Sequence, residues 1–111
     1  MALTKTFVAA GVVLSLSATA LWAQDAKALF EKNCISCHGA TGKGDGPAGK
    51  FLKPAPKDFS TSLSGKSDDQ IAKVVSGGGK ENGLAAAMPA YKGKLTDDQI
   101  KEIVQYVKGL H

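Results

Sequence analysis

Arginine is absent from this chain, and only two of its 111 residues are cysteine. All fourteen basic residues are lysines, set against ten Asp and Glu, for a net charge of +4. That surplus is too small and too dispersed for a nucleic-acid footprint, which needs clustered basic residues and aromatics on which bases stack. A mild lysine field instead steers an acidic protein partner into fast, salt-sensitive encounters. Two cysteines allow at most one disulfide, so the staple that small exported domains commonly add is limited to one bridge. Aromatics make up 6% of the chain. Beyond residue 23 they are Phe30, Phe51, Phe59, Tyr91 and Tyr106, which is little bulk for a core. Something else is expected to fill the middle.

Long apolar runs are also missing, except at the N-terminus. Lys5 precedes a nearly unbroken apolar stretch from Phe7 to Leu16, and Ala18-Thr19-Ala20 and Ala23 offer small residues for cleavage. That order is a secretory signal. The run is short for a membrane span of about 20 residues and carries Ser15, Ser17 and Thr19, so no stable insertion is expected after cleavage. The cut falls after Ala20 or Ala23. Residues 1–23 are therefore set apart as signal, and residues 24–111 as one exported domain without linkers or low-complexity tracts.

Two segments of that domain start alike: Ser67-Asp68-Asp69-Gln70-Ile71 and Thr96-Asp97-Asp98-Gln99-Ile100. Each has a capping hydroxyl, acids in the first turn and Gln at the capping-box position. Leu95 and Ile100 are also placed as a hydrophobic staple. These are two helix starts solved the same way, not a duplication. The last helix carries Ile100, Ile103, Val104, Val107 and Leu110 at helical spacing and ends at Gly109. The helix from Ser67 buries Ile71, Val74 and Val75 and stops at Gly77-Gly78-Gly79. A third runs from about Asp25 to Asn33, with Ala26, Leu29 and Phe30 on one side. No stretch alternates as a strand. Gly39 to Ser64, with Pro47, Pro54 and Pro56, reads as a long loop that wraps around something. The fold class is all-α: three to four helices and long loops.

Cys34, Cys37 and His38 form a C-x-x-C-H motif. A thioredoxin-like pair needs a βαβ context and a thiol at a helix N-terminus; here the pair follows a helix. Zinc needs four ligands, and two thiols plus His38 make three, with His111 the last residue. A disulfide between residues three apart constrains little of the unfolded chain. Covalent attachment of a c-type haem uses all three residues. The thiols become thioethers on the two vinyl groups, and His38 is directed to the iron. Export suits this chemistry, and one macrocycle supplies the missing bulk.

The second axial ligand decides function, because a firm one leaves only electron transfer while an open one admits small ligands. Met88 is the sole methionine beyond the signal. A lone Met is ordinarily core filler. This one precedes Pro89, which biases it to extended backbone, and small residues on both sides let the loop approach a flat ligand closely. A His38/Met88 site with a soft thioether favours Fe(II) and raises the potential. His111, terminal and past the helix end, is the poorer alternative.

With these residues in view, the domain resembles the class I c-type cytochromes, the small single-haem bacterial kind, over nearly all of residues 24–111. Cys34-Ile35-Ser36-Cys37-His38-Gly39 is similar to the family's attachment motif and Met88-Pro89-x-Tyr91 to its distal motif. Phe30 and Tyr106 match the aromatics by which its first and last helices cross. Ala26 stands where the family often has glycine. The resemblance implies a proline carbonyl, from Pro54 or else Pro47, accepting the Nδ1–H of His38. It also implies for Tyr91 either a hydrogen bond to a haem propionate or plain packing. Gly42-Lys43-Gly44-Asp45-Gly46-Pro47 resembles a subgroup of free periplasmic carriers and haem domains attached to oxidoreductases. The function implied is a monomeric periplasmic single-electron carrier that docks acidic redox proteins through its haem edge, bordered by Lys43, Lys50, Lys53, Lys92 and Lys94. The alternatives are a subunit of an oxidoreductase complex and, less favoured, a peroxidase-type haem enzyme.

Overall fold

The computed structural model describes residues 2–4, 6, 9–11 and 18–110. Much of the expected signal segment and His111 lie outside the described residues. Five helices follow in order: α1 (Ala18–Asn33), α2 (Ile35–His38), α3 (Phe59–Ser62), α4 (Asp68–Glu81) and α5 (Asp97–Lys108). A 3₁₀ turn, Gly49–Phe51, lies between α2 and α3. No strand occurs among the described residues; Lys92 and Leu95 form one isolated bridge. No described helix is long and apolar enough to cross a membrane.

The two capping boxes form as the sequence predicts. Ser67 Oγ accepts from the Gln70 amide and Gln70 Oε1 accepts from the Ser67 amide; Thr96 and Gln99 repeat the exchange. Such caps contribute about 1 kcal/mol each. Leu95 packs against the cluster that contains Ile100, which completes the staple. One face of α4 then serves two clusters. Ile71 joins Phe30, Ile103, Val104 and Val107, and Val75, one turn on, joins Tyr91 and Ile100. The periodic positions of α4 and α5 thus make a single seam down both helices.

Across that seam α1 crosses α5. Phe30 is 1% exposed, and its ring lies 5.3 Å from that of Tyr106 at 51°. Ala26, also buried, carries one methyl where glycine is common, and the crossing accommodates it. Two differences from expectation appear. The first helix begins at Ala18 rather than near Asp25, and neither Gly nor Pro interrupts residues 18–24. The long loop is also partly ordered: Asp58 accepts from the amide and hydroxyl of Ser60, and that cap starts the single turn of α3.

The N-terminus of α4 is tied to the end of α5. Asp68 pairs with Lys108, and Gln105 Nε2 donates to its other carboxylate oxygen at 2.8 Å. The Lys108 bond, then that of Gln105, holds the Asp68 carboxyl below its ordinary value. A depressed folded-state pKa means stability that is present above the unfolded value and lost as pH falls through the folded one. We expect Asp68→Asn to remove part of the acid slope of stability, measured by urea unfolding across pH 2–5, and to leave the slope above pH 6 unchanged.

Candidate haem site

The attachment turn starts where α1 ends. The Cys34 amide donates to Phe30 O at 2.8 Å, but Cys34 itself sits at φ −121°, ψ −30°, and the chain restarts as α2. This single turn would leave its last carbonyls without partners. The glycine-rich segment supplies them: Ala48 N donates to Ser36 O (2.8 Å), Gly46 N to Cys37 O (3.2 Å) and Gly44 N to His38 O (2.8 Å). Approach this close leaves no room for side chains. A Cβ on Gly49 would lie 2.1 Å from Cys37 O. Residues 44–49 therefore act as a main-chain cap on the C-x-x-C-H turn, which gives the glycine run its physical reason.

Both thiols are free. Burial, and then the neighbouring Cys37, pushes Cys34 up to about 11. Such a thiol is protonated at neutral pH, the opposite of the activated thiolate of a dithiol redox enzyme. Burial also lowers the His38 pKa, which keeps the imidazole neutral, the form that ligates a metal. Nδ1 of His38 is buried, and no group among the described residues hydrogen-bonds to it. Neither Pro54 nor Pro47 accepts from it in this structure. The His38 ring instead stacks on Phe59, with centroids 4.7 Å apart and planes at 29°.

Met88 is carried by a strap from Gly83 to Leu95 that is sewn onto the end of α4. At Gly78 the helix breaks, with φ 80° and ψ 176°, within the triple glycine where the sequence predicts its end, but it resumes and runs to Glu81. The Gly79 amide, which an unbroken helix would turn to Val75 O, donates to Met88 O at 3.0 Å; Val75 O accepts from Tyr91 N at 3.0 Å. Ser76 O, freed in the same way, accepts from Lys92 N at 3.0 Å. The kink thus leaves the Gly79 amide and the Val75 and Ser76 carbonyls paired with the strap. Only glycine permits it, since a Cβ at residue 78 would meet Ala90 N at 2.9 Å in a left-handed conformation.

Tyr91 connects this strap to the attachment turn. It is 9% exposed, it packs in the cluster against which Met88 rests, and its hydroxyl donates to Asn33 O at 2.8 Å. Burial and then the nearby Cys34 and Cys37 thiols raise its pKa. The hydroxyl's single proton is thus engaged by the main chain next to Cys34. Tyr91→Phe is expected to cost about 1 kcal/mol, the worth of one such bond with its carbonyl left unpaired, read from the urea midpoint at constant m.

The cytochrome c family model matches residues 23–111. The chain belongs to the cytochrome c family. It is 35% identical over 79 residues to cytochrome c6 of Leptolyngbya boryana, covering 71% of this chain and 81% of that one. It is 30% identical over 101 residues to the cbb3-type cytochrome c oxidase subunit CcoP of Azospirillum brasilense, covering 88% of this chain. A solved chain of the Kuenenia stuttgartiensis reducing HAO-like protein complex Kustc0457/Kustc0458 superposes with a TM-score of 0.67 at 26% identity, over 96% of this chain. The chain spans 32% of that CcoP and 51% of that solved chain. Membership makes this cytochrome a haem protein of electron transport, with the all-α fold that its helices display. The donor set fits haem c: a protonated Cys34 thiol beside the free Cys37 thiol, a neutral imidazole and a half-buried thioether, with Tyr91 linking the Met88 strap to the main chain before Cys34.

Sequence reading proposed Cys34, Cys37, His38, Met88, Pro54 and Tyr91 as site residues. It missed Phe59 as a neighbour of His38 and Asn33 as the partner of Tyr91. For Phe59 one signal was present, Asp58 as an N-cap, which turns the following residue into the start of a helix.

Proposed function

We propose that this cytochrome is an exported single-haem electron carrier whose iron is held by His38 and Met88 and whose macrocycle is bonded to Cys34 and Cys37. The observation that carries this is Tyr91, which touches the Met88 strap, the main chain before Cys34 and the field of both thiols at once. When bound, the group supplies one-electron Fe(III)/Fe(II) exchange. The protein's part is to keep both ligands in place through the cycle. His38 stays neutral through burial, and the main-chain cap of residues 44–49 fixes the turn that aims it. The strap bonds at Val75, Ser76 and Gly79 hold Met88 without relying on its own side chain, so little needs to reorganise between oxidation states.

Lys43, Lys50, Lys53, Lys92 and Lys94 are all exposed, and they suit brief docking of a redox protein with an acidic surface. A second reading, a domain working within one oxidoreductase complex, is favoured by the lengths of CcoP and the HAO-like chain. Periplasmic expression tests the first claim: the purified protein is coloured, and its mass shows one haem on residues 24–111. Colourless protein with two unmodified thiols overturns it. Stopped-flow oxidation by an acidic partner at low and high salt then separates a shuttle, whose rate falls with salt, from a complex subunit that co-purifies with its partner.

A further inference from the structure

In an unbroken helix each amide donates to the carbonyl four residues back, so Asn82 N would donate to Gly78 O. The break at Gly78 cancels that bond. Asn82 N donates instead to Gly79 O at 3.2 Å. The Asn82 side chain takes over the carbonyl that its main chain gave up, with Nδ2 donating to Gly78 O at 2.8 Å. The same amide group donates to Lys73 O at 3.2 Å, nine positions back along the chain. Two carbonyl acceptors fix which end of the amide points inward, because only its nitrogen donates. Asn82 therefore ties the turn after the break to the helix before it. Room for the amide comes from Gly77, where an added Cβ would lie 3.1 Å from Asn82 Nδ2.

The Met88 strap is sewn to both sides of this break. Before it, Val75 O and Ser76 O accept from Tyr91 N and Lys92 N. After it, Gly79 N donates to Met88 O, and Gly79 O accepts from Leu84 N at 2.7 Å. The strap holds Met88 in one place only while the two sides keep one relative orientation. Gly78 has no side chain to enforce that orientation, and glycine spans a wide range of backbone angles. We propose that Asn82 is a positioning residue whose side-chain amide locks the break in α4 and so sets where the strap presents Met88. This role rests on Met88 being the second axial ligand, as proposed above. Half-buried beside the break, Asn82 acts on Met88 through main-chain carbonyls and the strap.

Carbon monoxide binding to the reduced holoprotein reads this lock, because the gas gains its site only when the strap carries Met88 away. Asn82→Asp keeps the side chain's shape and replaces both N–H donors with a carboxylate facing two carbonyl oxygens. It is expected to raise the association rate about tenfold, the factor that one lost hydrogen bond gives in an opening equilibrium. The sulfur-to-iron band of the oxidised form weakens in parallel. Asn82→Ala does the same and carries the test alone should Asn82→Asp fail to accumulate. Ser67→Ala, which removes the cap at the other end of α4, lowers stability to urea and leaves rate and band as in the wild type. Asn82 variants with a wild-type rate and band overturn the proposal and leave the ligand assignment standing. An equal rise in Ser67→Ala, the mark of general loosening, overturns it too. A wild type without the band overturns the ligand assignment itself, and the positioning role falls with it.

Discussion

Met88→Ala is expected to erase the weak sulfur-to-iron absorption band near the red limit of the oxidised protein and to open the reduced protein to carbon monoxide. The expectation follows from what the side chain does and does not hold. The strap that carries Met88 is fixed by main-chain bonds, Gly79 N to Met88 O and Tyr91 N to Val75 O among them. Truncation at Cβ leaves these bonds alone, so the fold persists while the thioether is lost. A soft sulfur donor favours Fe(II) over Fe(III). Each tenfold of that preference is worth about 59 mV for one electron, and a fall of roughly 120 mV, two such steps, is expected in voltammetry. Wild-type protein lacking the band, or a variant with an unchanged potential, would refute Met88 as the ligand.

What could be read in advance, and what could not, divides along the range of the interactions. Local signals carried most of α4 and α5: the paired capping boxes, the stripe from Ile100 to Val107, and the glycine triplet where α4 kinks. The C-x-x-C-H turn and Met88 before Pro89 were equally local. What stayed hidden depends on residues far apart in the chain. Asn33 and Tyr91 meet across 58 positions, and no periodicity announces a hydroxyl meeting a carbonyl. The stacking of Phe59 on His38 requires the glycine segment to have folded back first. For Pro54, a plausible distance along the chain suggested a bond to Nδ1 of His38, and no such bond is formed among the described residues. Spacing constrains reach and does not fix direction.

Phe30→Ala is expected to produce the largest loss of stability of any single truncation in the domain, about 3–5 kcal/mol by the general cost of deleting a buried phenyl ring. Phe30 is 1% exposed and contacts two other rings, Tyr106 at 5.3 Å and Phe59 at 6.5 Å. Each aromatic pair adds about 0.5–1.5 kcal/mol beyond area burial. A domain of this length has a total stability of only about 5–15 kcal/mol, so the loss consumes a large share of it. The consequence reaches the site because Phe30 has two roles at once. Its side chain pins α1 to α5, and its carbonyl accepts the Cys34 amide at 2.8 Å, which sets where the attachment turn begins. Loosening the crossing therefore releases the turn that aims His38, while Met88 stays fixed by its strap on α4. Urea unfolding of the holoprotein, followed in parallel by tryptophan-independent far-UV signal and by the sulfur-to-iron band, tests both halves. A loss under about 1 kcal/mol, well below the core-truncation range, would mean that the α1–α5 crossing does not carry the fold.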